Sequence, residues 1–229
     1  MSRGLAVVIG LLLLATALFA AYAVPRQQGY FDPALKRTAY PCSWAPQERP
    51  VPLDPAFEGW FSEPLHDVGE PSLFRNKPPD GTTTLRFTFL PAFVEPVIVR
   101  VDDLYGDHPR MTAHKVVGQV VQDADNLRQR ALTPAEAASI RDFVSSSGVL
   151  DLQPDSCLSG LDGKIFLIEA NGPGGYRFIN RWGVHEGPVY ELGVRMFRLT
   201  GWPNGAQGPD YSRPLGPVPP QPTIGRRAS

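Results

Sequence analysis

Polar and apolar side chains alternate from residue 82 to residue 90. Leu85, Phe87 and Phe89 fall on one side of an extended chain, and Arg86 and Thr88 on the other. That period of two predicts a strand whose apolar set faces a core and whose polar set faces outward. Asp80-Gly81 marks the turn before it. Pro91 and Pro96 bracket a short link to a second alternating run, residues 97–102, where Val97, Val99 and Val101 interleave with Ile98 and Arg100. Residues 105–110 read as a loop, 113–122 as a third β run and 126–132 as a fourth, which together predict an antiparallel meander.

The most ordered pattern lies at residues 160–182 and predicts a β-hairpin. Gly160 to Gly163 form an entry turn, 164–170 is an apolar run, and 176–182 is a return strand rich in aromatics. Asn171-Gly172-Pro173-Gly174-Gly175 supplies the reversal. Alternation puts Ile165, Leu167 and Glu169 on one face. On the return strand Tyr176, Phe178, Asn180 and Trp182 share a face, and Arg177, Ile179 and Arg181 take the other.

Elsewhere the period changes to that of a helix. Thr133-Pro134-Ala135-Glu136 carries an N-cap, a proline at the first helical position and the acid of a capping box. Ala137, Ile140, Phe143 and Val144 then form a stripe, and Gly148 ends the helix. Residues 187–200 predict a second amphipathic helix with Val189, Leu192, Met196 and Leu199 on its apolar side. A shorter helix at 54–66 carries Phe57, Trp60 and Phe61, read as a lid on the sheet with an aromatic ligand platform as the alternative. The fold class expected is α+β: an antiparallel sheet of four to six strands, packed on one face by the helices at 133–147 and 187–200.

Composition sets the boundaries of this domain. Of 25 prolines, eleven lie in residues 24–80, seven in 81–202 and seven in 203–229. We therefore expect a Pro-rich irregular leader (24–80), an α+β domain (81–202) and a disordered tail (203–229). Residues 4–24 carry no charge and follow Arg3. They are long enough to span a bilayer, while Ala21-Tyr22-Ala23 suits signal peptidase. Residues 1–23 are therefore a signal peptide or an uncleaved membrane anchor, and either places the rest outside the cytoplasm, in the periplasm or cell envelope. A net charge of −1 argues against a nucleic-acid partner. Cys42 and Cys157 are the only cysteines, and in an oxidising compartment they are expected to be bonded.

An ordered set of motifs runs through the chain: Trp60-Phe61-Ser62, Glu70-Pro71-Ser72-Leu73, Leu85-Arg86-Phe87, Pro96-Val97-Ile98-Val99-Arg100, the capped helix, Gly160-Leu161-Asp162-Gly163, Glu169, Gly175-Tyr176-Arg177 and Arg181-Trp182. This order resembles a group of uncharacterised exported bacterial proteins. The likeness spans residues 60–202, and its GLDG-to-RW segment is the most specific part. It departs at Phe166, where relatives carry Trp, and at Gly183-Val184, where they carry Ser-Pro. The resemblance implies an envelope address and no particular activity, cofactor or substrate.

Candidate chemistry is sparse. Asp162, Glu169 and His185 cluster on or near the hairpin and would serve an envelope hydrolase as acid/base groups, or the carboxylates would simply close a turn and pair with an arginine. Arg86, Arg100, Arg177 and Arg181 recur at outward strand positions, and on one sheet face they would receive a small anionic ligand or an acidic envelope protein. Asp123-Ala124-Asp125-Asn126 opens like a calcium loop, but Arg128 and Pro134 stand where its Gly and Glu belong. Ser145-Ser146-Ser147 lacks a nucleophile elbow, and the 171–175 loop lacks a phosphate-binding lysine. No metal or cofactor is expected. The reading that results is a non-catalytic binding module, with a hydrolase as the alternative.

Overall fold

The computed structural model describes residues 29–42, 45–117, 125–155, 157, 160 and 163–202. Six strands form one antiparallel sheet: β1 (Thr84–Pro91), β2 (Val97–Asp102), β3 (Arg110–Lys115), β4 (Leu127–Ala131), β5 (Lys164–Asn171) and β6 (Arg177–Trp182). Their spatial order is β4-β3-β2-β1-β5-β6. The first four make the expected meander. The chain then crosses the sheet through helix α2 (Pro134–Ser147) to place β5 beside β1, and the hairpin completes the far edge. The expected tail and N-terminal segment lie outside the described residues. Among the described residues no helix is long and apolar enough to cross a membrane.

Helices α2 and α3 (Pro188–Arg198) cover one face, as the stripes require. Ala137, Ile140, Phe143 and Val144 of α2 and Val189, Leu192 and Met196 of α3 meet Leu85, Phe87, Val99, Val101, Phe166 and Ile168. The Thr133 hydroxyl accepts from the Glu136 amide at 3.2 Å, and the Glu136 carboxylate accepts from the Thr133 amide at 2.8 Å. Gly148 closes α2 at φ 63°, in the left-handed region where a glycine has no Cβ to strain. Gly193 lets α3 approach closely, for a Cβ there would lie 2.7 Å from the Phe87 ring.

The second face departs from expectation. Arg86 and Thr88 were expected to face outward, yet both are fully buried. The Pro-rich stretch lies over them. Tyr30, Phe31, Leu53 and two residues of helix α1 (Pro55–Asp67), Phe61 and Leu65, form a second core with Leu90, Ile98, Ile165, Leu167 and Phe178. Burying a side chain such as Phe61 contributes about 1.5–3 kcal/mol. The sheet is therefore covered on both faces, and alternation separates two cores rather than core from solvent. Prolines do not obstruct this layer, because it needs few ladder hydrogen bonds. Asp54 caps α1 by accepting from the Ala56 amide at 2.8 Å, with Pro55 at the first helical position.

One strand is displaced. The run expected at 113–122 is a strand from Arg110 to Lys115, taking in the end of the expected loop, and residues 118–122 lie outside the described residues. Its register explains the shift. Arg110 and Met111 pair with Asp102 and Val101 on β2 and with Ala131 and Arg130 on β4, so sheet hydrogen bonds extend the strand toward its start.

Candidate functional site

Register decides where each expected site residue falls. Arg86 pairs across β1 and β2 with Arg100, and across β1 and β5 with Glu169, so these three share the face under the leader. Arg177 and Arg181 pair with Ala170 and Phe166 and therefore belong to the opposite face. The expected row of four arginines on one face does not exist. The two hairpin strands carry opposite alternation across their pairing from the β1 and β2 arginines, which splits the set.

The buried half is a closed charge cluster. Arg86 donates to Glu169 Oε2 through Nε (2.9 Å) and Nη2, and through Nη1 to the Pro71 carbonyl at 2.7 Å. The other Glu169 oxygen accepts from the Tyr176 hydroxyl at 2.7 Å. Glu70 descends from the leader between three basic side chains on three strands: Arg86 at 3.4 Å, Arg100 at 3.3 Å and His114 at 3.3 Å. Burial alone would raise the Glu70 pKa, but the His114 hydrogen bond and the charges of Arg86 and Arg100 outweigh it and hold the carboxyl below its ordinary value. Burial likewise pushes the Tyr30 and Tyr176 hydroxyls well up, reinforced by the Glu169 charge. For Arg86, burial works against the charge, but Glu169, Tyr30 and Glu70 more than restore it.

The Glu70-Pro71-Ser72-Leu73 motif now has a physical account. Its carboxylate meets the basic row, and the Pro71 carbonyl accepts from Arg86. The Ser72 hydroxyl donates to the Tyr30 carbonyl at 2.5 Å, and the Leu73 carbonyl accepts from Asn171 at 2.6 Å. Sequence reasoning missed Glu70, His114 and Tyr30 as members of this cluster. The available signal was the motif itself, a charged residue embedded in a short apolar block.

Glu169 and His185, two of the expected acid/base trio, are not brought together. Glu169 is fully buried with both oxygens engaged, and His185 is exposed in the loop after β6. Glu169 faces Phe178, four residues before the end of β6, which puts about 13 Å of strand between them. Asp162 lies outside the described residues. Arg100 is held by Glu70 and by Asp102 at 3.2 Å, and Arg181 donates to the carbonyls of Gln153 (2.8 Å) and Asn180 (2.7 Å). Arg177 donates to the Tyr176 carbonyl and is exposed. Among the described residues no group of three or more His, Cys, Asp or Glu side chains is arranged to hold a metal ion.

A second site opens at the free edge of the hairpin, between β6 and α1. It is a groove with a cavity volume of about 240 Å³. Ile165 and Trp182 line the sheet side, and Phe57, Trp60 and Phe61 line the α1 side. Phe57 and Trp60 are 42% and 41% exposed, although each side chain sits in an aromatic cluster with Phe61. The disulfide between Cys42 and Cys157 borders the groove and ties the leader to the segment before β5, with a Cα separation of 5.7 Å. Glu48, Asp54 and Asp155 bring three carboxylates, and among the described residues no Lys or Arg lines the groove. Arg181 stands behind Asp155 rather than in the lining; burial lowers its pKa, opposed by Asp155 and Tyr40.

Trp182 is fixed by two glycines of the entry turn. A Cβ on Gly160 would lie 2.1 Å from its ring, and one on Gly163 would lie 2.8 Å from Nε1. Side chains at either position would collide with the indole. Comparison with family models, with curated proteins and with solved structures returns no match to this chain.

Proposed function

We propose that this chain is a non-catalytic binding module of the cell envelope, exported through its apolar segment at residues 4–24. Its contact surface is the groove between α1 and β6. The observation that carries this reading is a pair of large aromatic side chains left exposed in a groove. The charges of the sheet interior are spent on one another in a closed cluster, whereas the groove leaves Phe57 and Trp60 exposed beside three carboxylates. Exposed large aromatics lining a groove are the usual makings of a recognition site, because they add contact area at little entropic cost. The disulfide supports an oxidising address, where such bonds persist. An arginine-based anion site is not retained, because the arginines are divided between two faces and Arg86 and Arg100 are neutralised internally.

The test is thermal unfolding of the whole chain against peptides, oligosaccharides and small anions. A ligand present at 100 times its Kd adds about 2.7 kcal/mol of stability. The shift should vanish in Trp60→Ala while unliganded stability stays unchanged. Absence of any shift across these classes would sink the reading. Cell fractionation with N-terminal sequencing tests the address, distinguishing a chain that begins after Ala23 from one still anchored.

A further inference from the structure

The groove's walls are largely aromatic and apolar, with Phe57, Trp60 and Trp182 joined by Pro50 and Pro52. Aromatic-lined grooves receive polyproline-II segments, which are already extended before they dock and so lose little entropy. The polypeptide itself carries such a segment. Residues 214–222, Pro-Leu-Gly-Pro-Val-Pro-Pro-Gln-Pro, hold five prolines in nine positions. Pro214, Pro217 and Pro220 are spaced by three, so at three residues per turn they fall on one edge. Arg213 precedes the first of them and brings a positive charge to a groove lined by the exposed Glu48 and, among the described residues, by no Lys or Arg.

The place where the chain leaves the described fold puts this segment within reach. The Lys115 ammonium lies 4.7 Å from the centre of the Trp202 ring, which sets Trp202 beside the end of β3. Register runs from Lys115 through Val97, Phe89 and Phe166 to Arg181, the neighbour of Trp182. Trp202 and the groove therefore lie at the same end of the sheet, four strand spacings apart, about 19 Å, with about 10 Å more to pass from the helix-covered face to the other. Fifteen residues separate Trp202 from Pro217, which at polyproline-II rise reach about 46 Å.

We propose that the groove is occupied by the chain's own residues 214–222, which dock in polyproline-II form across Phe57, Trp60 and Trp182. This rests on the groove being the contact surface of a binding module, and it makes the tail a built-in competitor that an outside ligand must displace. Proline rings lie on the aromatic faces, and the Trp60 indole N–H donates to a carbonyl of the segment. Tethering supplies an effective concentration on the order of a millimolar, so even a segment of modest affinity fills the site.

The test uses the whole chain and a full-length variant carrying Pro217→Ala, Pro219→Ala and Pro220→Ala. The probe is a capped synthetic peptide of residues 211–224, titrated by calorimetry, with the same peptide bearing alanine at its five prolines as control. The proline peptide should bind the variant and bind the intact chain at least three-fold more weakly, because there the groove is already filled. Adding Trp60→Ala to the variant should weaken the peptide about ten-fold. The Trp60 indole N–H resonance should differ between intact chain and variant by an amount independent of protein concentration. Equal affinity for intact chain and variant, equal binding of the alanine peptide, no binding at all, or indifference to Trp60→Ala would overturn the proposal. An indole shift that grows with concentration would overturn it as well, by assigning the groove to the tail of a second copy. If the tail peptide fails while another peptide or an oligosaccharide stabilises the variant in a Trp60-dependent way, the tail assignment falls and the binding-module reading stands.

Discussion

Arg86 on β1 and Glu169 on β5 are direct cross-strand partners, and neither exposes side-chain surface to solvent. Removing one member leaves the other charged and buried, which costs about 3–5 kcal/mol. Glu169→Gln and Arg86→Met should each destabilise the chain by that order in denaturant titration. The double variant Arg86→Met/Glu169→Leu should lose clearly less than the two single losses added together. Simple additivity would mean that the pair is not coupled.

Acid should loosen the leader. The Glu70 carboxyl lies below its ordinary value of 4.5, and that of Glu136 is drawn down to about 2, first by its hydrogen bond from Arg130. A carboxyl with a depressed folded pKa contributes stability that is complete above the unfolded value and disappears as pH falls through the folded one. Melting temperature should therefore hold above about pH 4.5 and decline from there toward pH 2. Glu136→Gln should remove only a small part of the decline, because that side chain is largely solvent-screened. Glu70→Gln should remove a larger part.

Bonding of Cys42 to Cys157 closes a loop with a sequence separation of 115. In the chain-entropy model such a closure is worth up to about 4–5 kcal/mol. Cys42→Ser should lower the unfolding free energy by an amount up to that limit. Thiol labelling of the unreduced, denatured protein should find no free cysteine.

Gly160→Ala should be more damaging than a surface alanine has any right to be. Its new methyl would drive into the Trp182 ring, and relieving such overpacking costs about 1–3 kcal/mol. Stability measurements should show that loss, with the indole displaced and the fluorescence maximum moved. A neutral result would mean that the 160–163 turn moves away from Trp182 without cost.

Much of the sheet was legible because β1, β2 and the hairpin alternate locally, and α2 announces itself through Thr133, Pro134 and Glu136. What alternation could not show is what covers each side. Arg86 and Glu169 look like outward polar residues, since nothing near them in sequence indicates Tyr30 or Glu70; the cluster joins positions up to 98 residues apart, as between Leu73 and Asn171. The splitting of the arginines followed from inter-strand register, which single-strand periodicity does not contain. The groove was half visible. Phe57 and Trp60 were visible as a helical aromatic pair with a platform as the alternative to a lid, but Glu48 and Asp155 reach the same groove only through the tertiary fold.

The second layer also fixes an order of events. A ribosome releases Tyr30, Phe31 and Cys42 long before it has made Leu167, Phe178 and Cys157, the groups against which they finally rest. The earliest part of the polypeptide is therefore the last to find its place. Until residue 182 has emerged, its apolar side chains and its thiol are unprotected, the interval in which a chaperone or oxidase would have to attend to them.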